Sequence, residues 1–145
     1  MVFFSSLKKN ITFAAETIRQ RTMAESVKNV LIVEDNEFNM LYLTEVMSSF
    51  DFNLICATNG YEAVAKAREN EIALVLMDMK LPEMGGFEAA KEIRKLQPNA
   101  VIIAQTAYML DSDADIAQNI FDGYLIKPIN KDQLSRIVDR YLTEK

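Results

Sequence analysis

Ala73-Leu74-Val75-Leu76-Met77-Asp78-Met79-Lys80-Leu81-Pro82-Glu83-Met84-Gly85-Gly86 is the stretch whose reading decides the fold. It opens with five apolar residues, the length and composition of a strand buried on both faces. Asp78 stands where that strand should end, and Pro82 and Gly85-Gly86 then break regular structure. A carboxylate at the mouth of a buried parallel strand costs desolvation energy unless its charge is used there. An isolated aspartate most often caps a helix or closes a turn, so Asp78 alone decides nothing about function.

The same pattern recurs on either side. Val30-Leu31-Ile32-Val33 is an apolar run ending in Glu34-Asp35. Asn36 can cap a following helix whose inward stripe is read as Phe38, Leu41, Tyr42 and Val46. Residues 52–57 read as a second strand closed by the turn signal Asn59-Gly60, and the next helix turns Ala63, Val64 and Ala67 inward. After the Asp78 strand come a helix bearing Phe87, Ala90, Ile93 and Leu96, a turn at Pro98-Asn99, and the strand Val101-Ile102-Ile103-Ala104, ending near Thr106. A weaker helix is expected over about 111–120, then Tyr124-Leu125-Ile126 as a fifth strand running into Lys127-Pro128. The last helix carries Leu134, Ile137, Val138, Tyr141 and Leu142, a full amphipathic stripe.

Five apolar strands alternating with five helices predict a doubly wound α/β domain with a parallel sheet, because such strands need helices on both faces. Right-handed crossovers put every strand's carboxyl end on one edge, where such folds place their ligand site. At 145 residues, half of them apolar and 26% charged, the chain has room for one domain. It contains no histidine and one cysteine, Cys56. Histidine metal sites, Ser-His-Asp and Cys-His catalysis, a phosphohistidine of its own and an internal disulfide are therefore excluded within it. The lone cysteine fits a reducing cytoplasm. No apolar run reaches the eighteen or so residues of a membrane helix.

Charge divides the chain at Lys28. Residues 1–28 hold five basic and two acidic side chains, whereas residues 29–145 hold 11 basic and 19 acidic. An acidic domain is a poor candidate for direct nucleic-acid binding. The division separates an N-terminal extension, 1–28, from the domain, 29–145. In the extension Leu7, Ile11, Ala14 and Ile18 share one helical stripe. The leading reading is a short helix packed on the domain or a partner. An untied extension and a membrane-surface segment, with Met1-Val2-Phe3-Phe4 beside Lys8 and Lys9, are the alternatives.

The strand ends deliver Glu34-Asp35, Asp78, Thr106 and Lys127 to one edge. Three carboxylates converging in a low-dielectric crevice call for a cation, since like charges would otherwise drive protons back onto them. Oxygen ligands select a hard ion, and Mg²⁺ is the one that keeps waters and accepts a phosphoryl oxygen. Lys127 adds a mobile positive charge and Thr106 a hydroxyl donor. A carboxylate nucleophile, a divalent cation, an ammonium and a hydroxyl are the parts of a phosphoryl-transfer centre.

The segments Val30-Leu31-Ile32-Val33-Glu34-Asp35-Asn36, Leu76-Met77-Asp78-Met79-Lys80-Leu81-Pro82-Glu83-Met84, Gln105-Thr106-Ala107 and Tyr124-Leu125-Ile126-Lys127-Pro128-Ile129 closely resemble the receiver domains of bacterial two-component response regulators. The resemblance covers 29–145. It implies a flavodoxin-like fold with strand order 2-1-3-4-5. It also implies Asp78 as phosphoacceptor, with Mg²⁺ held by Glu34, Asp35, Asp78 and the Lys80 backbone carbonyl. Lys127 would contact the phosphoryl group, the Lys127-Pro128 bond is often cis in the family, and Thr106 and Tyr124 would form the switch pair. A histidine kinase or histidine phosphotransfer protein would donate the phosphoryl group. The signal would pass to a downstream protein as a population shift of the fourth helix, fifth strand and fifth helix. The chain would thus be no enzyme beyond its own phosphoryl transfer and autodephosphorylation.

Some positions depart from the pattern. The span from Thr106 to Lys127 is about a residue short, and Asn119-Ile120-Phe121-Asp122-Gly123 replaces the usual Ala-Gly before the fifth strand. Lys80 and Tyr108 occupy places that, in this family, tune water's access to the acyl phosphate. Asp111-Ser112-Asp113-Ala114-Asp115 starts like a calcium loop, but Ile116 replaces the turn glycine, so it reads as an acidic first helical turn. Met77, Met79 and Met84 read as apolar filling. Because no output module follows the last helix, a freestanding single-domain receiver is the leading expectation. A receiver excised from a hybrid histidine kinase and a scaffold working without phosphorylation are the alternatives. A phosphatase reading lacks the second acid two residues after Asp78, that position being Lys80, and a flavin module lacks a phosphate loop after the first strand. Oligomeric state is not assigned by these features.

Overall fold

The computed structural model describes residues 27–107 and 119–143. Nine elements are defined there: β1 (Asn29–Val33), α1 (Glu37–Met47), β2 (Asn53–Ala57), α2 (Gly60–Glu69), β3 (Leu74–Asp78), α3 (Gly86–Leu96), β4 (Val101–Thr106), β5 (Gly123–Ile126) and α4 (Lys131–Tyr141). The strands form one sheet, β2-β1-β3-β4-β5, with every pairing parallel. This is the order the resemblance implied. Among the described residues there are four helices rather than five. The helix expected over about 111–120 falls mostly outside them, and Asn119 and Ile120, which are described, are not helical.

Alternation along the strands builds two separate cores. Leu31, Val33, Val75, Met77, Ile102 and Ala104 meet Ala63, Val64 and Ala67 of α2 and Ala89, Ala90 and Ile93 of α3. On the other face Val30, Ile32, Leu74, Leu76, Ile103 and Leu125 meet Leu43 and Met47 of α1 and Leu134 and Val138 of α4. Each buried Val, Leu, Ile or Met side chain among these contributes about 1.5–3 kcal/mol. β3 is buried at all five positions, as its unbroken apolar run requires in the centre of a doubly covered sheet. Met77 belongs to the first core and Met79 and Met84 pack against it, so the methionines serve as apolar filling.

The inward stripe of α1 differs from the expected one. Phe38, Leu41 and Tyr42 lie on the outside of α1, 83%, 65% and 45% exposed, while Leu43 and Met47 face the sheet. α1 is apolar nearly all round, so two stripes compete, and the register set by β1 and the Asn36 cap turns the Leu43–Met47 one inward. Val46 is half-buried against that core. Leu96 of α3 is likewise exposed, with Ala89 taking up the inward surface.

Caps fix where the helices begin. Asn36, Asn59 and Asn130 accept hydrogen bonds from the N–H groups of Asn39, Glu62 and Gln133, satisfying donors that a helix start leaves unpaired. Asn59-Gly60 is thus the start of α2 rather than a free turn. At α3 the constraint is space. A Cβ on Gly86 would strike the Asp78 carbonyl oxygen and lie 2.8 Å from Met79 Cα, so only glycine lets α3 begin against the end of β3. Gly86→Ala is expected to destabilise the fold by about 1–3 kcal/mol, the cost of overpacking, read as a lowered urea midpoint at constant m-value.

Candidate functional site

Strand parity sorts the polar side chains before any of them interact. Paired residues of a parallel sheet project to the same face, and successive residues to opposite faces. Asp78 pairs with Gln105, two residues beyond the Leu76–Ile103 pair, so both belong to the face covered by α1 and α4. The ladder runs one residue further at the neighbouring ends. The Glu34 N–H donates to the Ala57 carbonyl at 3.0 Å, and the Lys127 N–H to the Thr106 carbonyl at 2.8 Å. Glu34, following Val33, and Lys127, two beyond Leu125, therefore share that face. Thr106 pairs with Ile126, two beyond the Ala104–Tyr124 pair, which puts Thr106 and Tyr124 together on the opposite face.

Lys127 joins the buried acids. Its Nζ lies 3.2 Å from Glu34 Oε2 and 3.3 Å from Asp78 Oδ2. Glu34 is 1% exposed and Asp78 3%. Asp78 Oδ1 accepts the Lys80 backbone N–H at 3.0 Å, and Glu34 Oε1 accepts the Asn36 backbone N–H at 3.2 Å. Asp35, exposed at the rim, completes an acidic group with Glu34 and Asp78 in which one oxygen of each lies within 4.8 Å of the others. The Lys127-Pro128 peptide that follows is cis.

The electrostatics follow from this crowding. Burial, then the Asp78 charge, push the Glu34 carboxyl above its ordinary range, and together they outweigh the Asn36 N–H and Lys127. Burial alone would lower Lys127, but the facing charges of Asp78 and Glu34 outweigh it and hold the ammonium above its ordinary value. Three carboxylates against one ammonium leave a surplus of negative charge. The donor set is all oxygen, which fits a hard divalent cation.

These groups line an open crevice of about 490 Å³ at the carboxyl edge of the sheet, together with Lys80, Thr106 and Ala107. The structure therefore brings together Glu34, Asp35, Asp78, Thr106, Lys127 and the Lys80 backbone. Tyr124 is 36% exposed and is not among the residues lining the crevice. Tyr108 lies outside the described residues.

Two crevice residues were not singled out from sequence. Asn39 reaches Glu34 Oε1 at 3.5 Å from the first turn of α1, and its spacing of three from the Asn36 cap was the available signal. Gln105 is fully buried, and among the described residues neither of its amide atoms finds a hydrogen-bond partner. Its signal was a polar side chain late in an otherwise apolar strand.

Comparison with known proteins sets this geometry in context. The family model for the response regulator receiver domain matches residues 30–139. The polar-differentiation response regulator DivK of Brucella anthropi is 35% identical over 122 residues, covering 79% of this chain and 96% of DivK. The autoinducer 1 sensor kinase/phosphatase LuxN of Vibrio campbellii is 30% identical over 115 residues, covering 79% of this chain but only 14% of LuxN. Among solved structures, the receiver domain of a sensor histidine kinase from Pseudomonas aeruginosa, with a magnesium ion in its active site cleft, has a TM-score of 0.71. It is 32% identical, and the match covers 80% of this chain and 98% of that one. A chain in the co-crystal structure of a Saccharomyces cerevisiae histidine phosphotransfer signalling protein and the receiver domain of its downstream response regulator is 33% identical, with a TM-score of 0.72. That match covers 79% of this chain and 88% of the other.

Leaving a buried amide unpaired costs its desolvation, about 1–3 kcal/mol. Gln105→Leu is accordingly expected to hold or raise the unfolding free energy, whereas Gln105→Ala, which opens a cavity, lowers it. Paired denaturation curves of the two variants check this.

Proposed function

This chain belongs to the response regulator receiver domain family, and on that footing we propose that Asp78 accepts a phosphoryl group from a phosphohistidine on a partner protein. The observation that carries the proposal is the placing of Asp78. Its carboxylate is buried at the carboxyl edge of β3, held by the Lys80 N–H and Lys127, and opens on a crevice lined by Thr106. The domain is residues 29–145, with 1–28 as an extension. Histidine is absent from residues 1–145, so the donor histidine lies outside them, on a histidine kinase or a histidine phosphotransfer protein.

Glu34, Asp35, Asp78 and the Lys80 carbonyl are the groups that would hold Mg²⁺. When bound, the ion supplies positive charge to the phosphoryl oxygens and offsets the surplus of carboxylates. An Asp78 oxygen attacks phosphorus in line. The phosphorus–nitrogen bond of the donor breaks, its electron pair stays on the imidazole, and an acyl phosphate forms. Lys127, already against Asp78, exchanges part of its carboxylate contact for the new phosphoryl oxygens, and the Thr106 hydroxyl donates to another. Thr106 shares its face of the sheet with Tyr124, so its movement is felt where that ring lies. The change of state then passes to a downstream protein through β5, α4 and the segment before β5. Similarity both to DivK over nearly all its length and to a short part of LuxN supports a freestanding and an embedded receiver alike.

Acetyl phosphate with Mg²⁺ is expected to add one phosphoryl group to the chain by intact-mass spectrometry. Asp78→Asn abolishes the adduct and a chelator blocks it. An adduct that persists in Asp78→Asn would place the acceptor elsewhere. The bulk of Lys80 at the crevice slows hydrolysis, so Lys80→Asn is expected to shorten the adduct's lifetime, and an unchanged decay rate argues against that role.

A further inference from the structure

Gln105 belongs to a row of residues that crosses the sheet. Glu34 follows Val33, which pairs with Met77, so Glu34 stands level with Asp78. Asp78 pairs with Gln105, and Gln105 with Leu125. Two carboxylates, an amide and a leucine thus lie side by side on one face, at strand spacings of about 4.8 Å. The amide is the odd member. Gln105 is 0% exposed, and among the described residues neither its carbonyl oxygen nor its NH₂ has a hydrogen-bond partner. Polar groups so enclosed are nearly always paired, and one left unpaired raises the free energy of the state that encloses it.

Lys127 accounts for the enclosure. β5 and β3 are separated by β4, so Lys127 and Asp78 together span two strand spacings, about 10 Å, to bring Nζ to 3.3 Å from Asp78 Oδ2. Nζ is also 3.2 Å from Glu34 Oε2, on the strand beyond β3, so most of that span falls to the lysine. Its stem therefore runs across the end of β4, on the face where Gln105 is the last strand residue. Two openings meet there: the crevice of about 490 Å³, and a cavity of about 500 Å³ beside Tyr42 and Pro128. Glu34, Asn39, Gln105 and Lys127 line both, so these four form the partition between them.

We infer that Gln105 is a positioning residue, acting through Lys127 to favour the lysine's transfer from the carboxylates to a phosphoryl group. The inference rests on the reading of Asp78 as phosphoacceptor. While Lys127 lies across the carboxylates, the amide is sealed and unpaired. When the ammonium turns to phosphoryl oxygens, its stem leaves the partition, and the amide opens to the water of the crevice and the cavity. Part of the cost of the resting arrangement is thereby recovered on engagement. Replacing the amide by an apolar group of the same shape removes that cost from the resting state alone. Such a change stabilises the fold and weakens engagement, whereas a change that merely damages packing weakens both together.

The test is a fluorine NMR titration of the full chain with beryllofluoride, a non-covalent stand-in for the phosphoryl group, at saturating Mg²⁺. Gln105→Met keeps the unbranched shape and is expected to bind beryllofluoride at least about fivefold more weakly than the parent. Its urea midpoint should be no lower, and its affinity for Mg²⁺ alone unchanged. Equal beryllofluoride affinity would overturn the inference. So would a loss matched by Mg²⁺ alone, which assigns Gln105 to shaping the carboxylates. A second readout needs no variant. The side-chain NH₂ protons of Gln105, followed by nitrogen-edited NMR in the parent, are expected to be sheltered from water exchange at rest and to exchange faster with beryllofluoride bound. Exchange that does not change overturns the inference. Acetyl phosphate labelling of Asp78 runs alongside. An adduct on the parent together with either negative result overturns this inference alone, whereas no adduct and no beryllofluoride binding overturn the phosphoacceptor reading and this inference with it.

Discussion

Lys127 sits between two buried carboxylates, and the carboxyl edge of the sheet depends on that contact. Glu34 and Asp78 are both almost fully buried, and each lies just over 3 Å from the one ammonium. Without it, two anions would share a low-dielectric pocket with two backbone N–H groups and the Asn39 amide to hold them, a costly arrangement. With it the pocket still carries an excess of acid. That excess favours additional positive charge beside the carboxylates.

Lys127 is brought there by a short edge strand, so the anchoring of β5 matters more than its four residues would indicate. Asp122, immediately before it, accepts the Ile102 N–H and an Arg94 guanidinium N–H, both at 2.9 Å. Arg94 also reaches the Ile120 carbonyl, and the Tyr141 hydroxyl donates to the Asp122 carbonyl. One aspartate thus ties α3, β4 and α4 to the first residue of β5. The register Ile103–Gly123 through Thr106–Ile126 follows, and Lys127 emerges one step beyond it, level with the acids. The Asn119-Ile120-Phe121-Asp122-Gly123 departure in sequence is therefore a well-fastened entry to β5, with Phe121 buried in the α2/α3 core.

Most of this was legible in the sequence because the determinants are local or periodic. The five apolar runs, the asparagine cap at 36 and the acids at strand ends each depend on a few neighbouring residues, and they fixed the layers and the edge that carries the site. What failed depended on tertiary choice. α1 carries apolar residues on every side, so periodicity could not tell that Leu43 and Met47, rather than Phe38 and Leu41, would meet the sheet. Gln105 was read as part of a motif, and only three-dimensional packing reveals that its amide is enclosed between β4 and the α1/α4 layer. The link from Arg94 to Asp122 spans 28 residues and has no signature in either segment alone.

Strand parity gives the site a division of labour. Glu34, Asp78 and Lys127 project to the α1/α4 face, while Thr106 and Tyr124 project to the other. A change of charge at Asp78 must therefore cross the plane of the sheet to be felt at Tyr124. Thr106 is the residue through which it can cross, because it is the last residue of β4 and its carbonyl accepts the Lys127 N–H. The residue lines the crevice and shares a face of the sheet with Tyr124. The links available to the proposed switch are the Lys127 N–H to Thr106 carbonyl hydrogen bond and the face that Thr106 shares with Tyr124. The proposed switch requires no longer path than these two residues and the hydrogen bond between them.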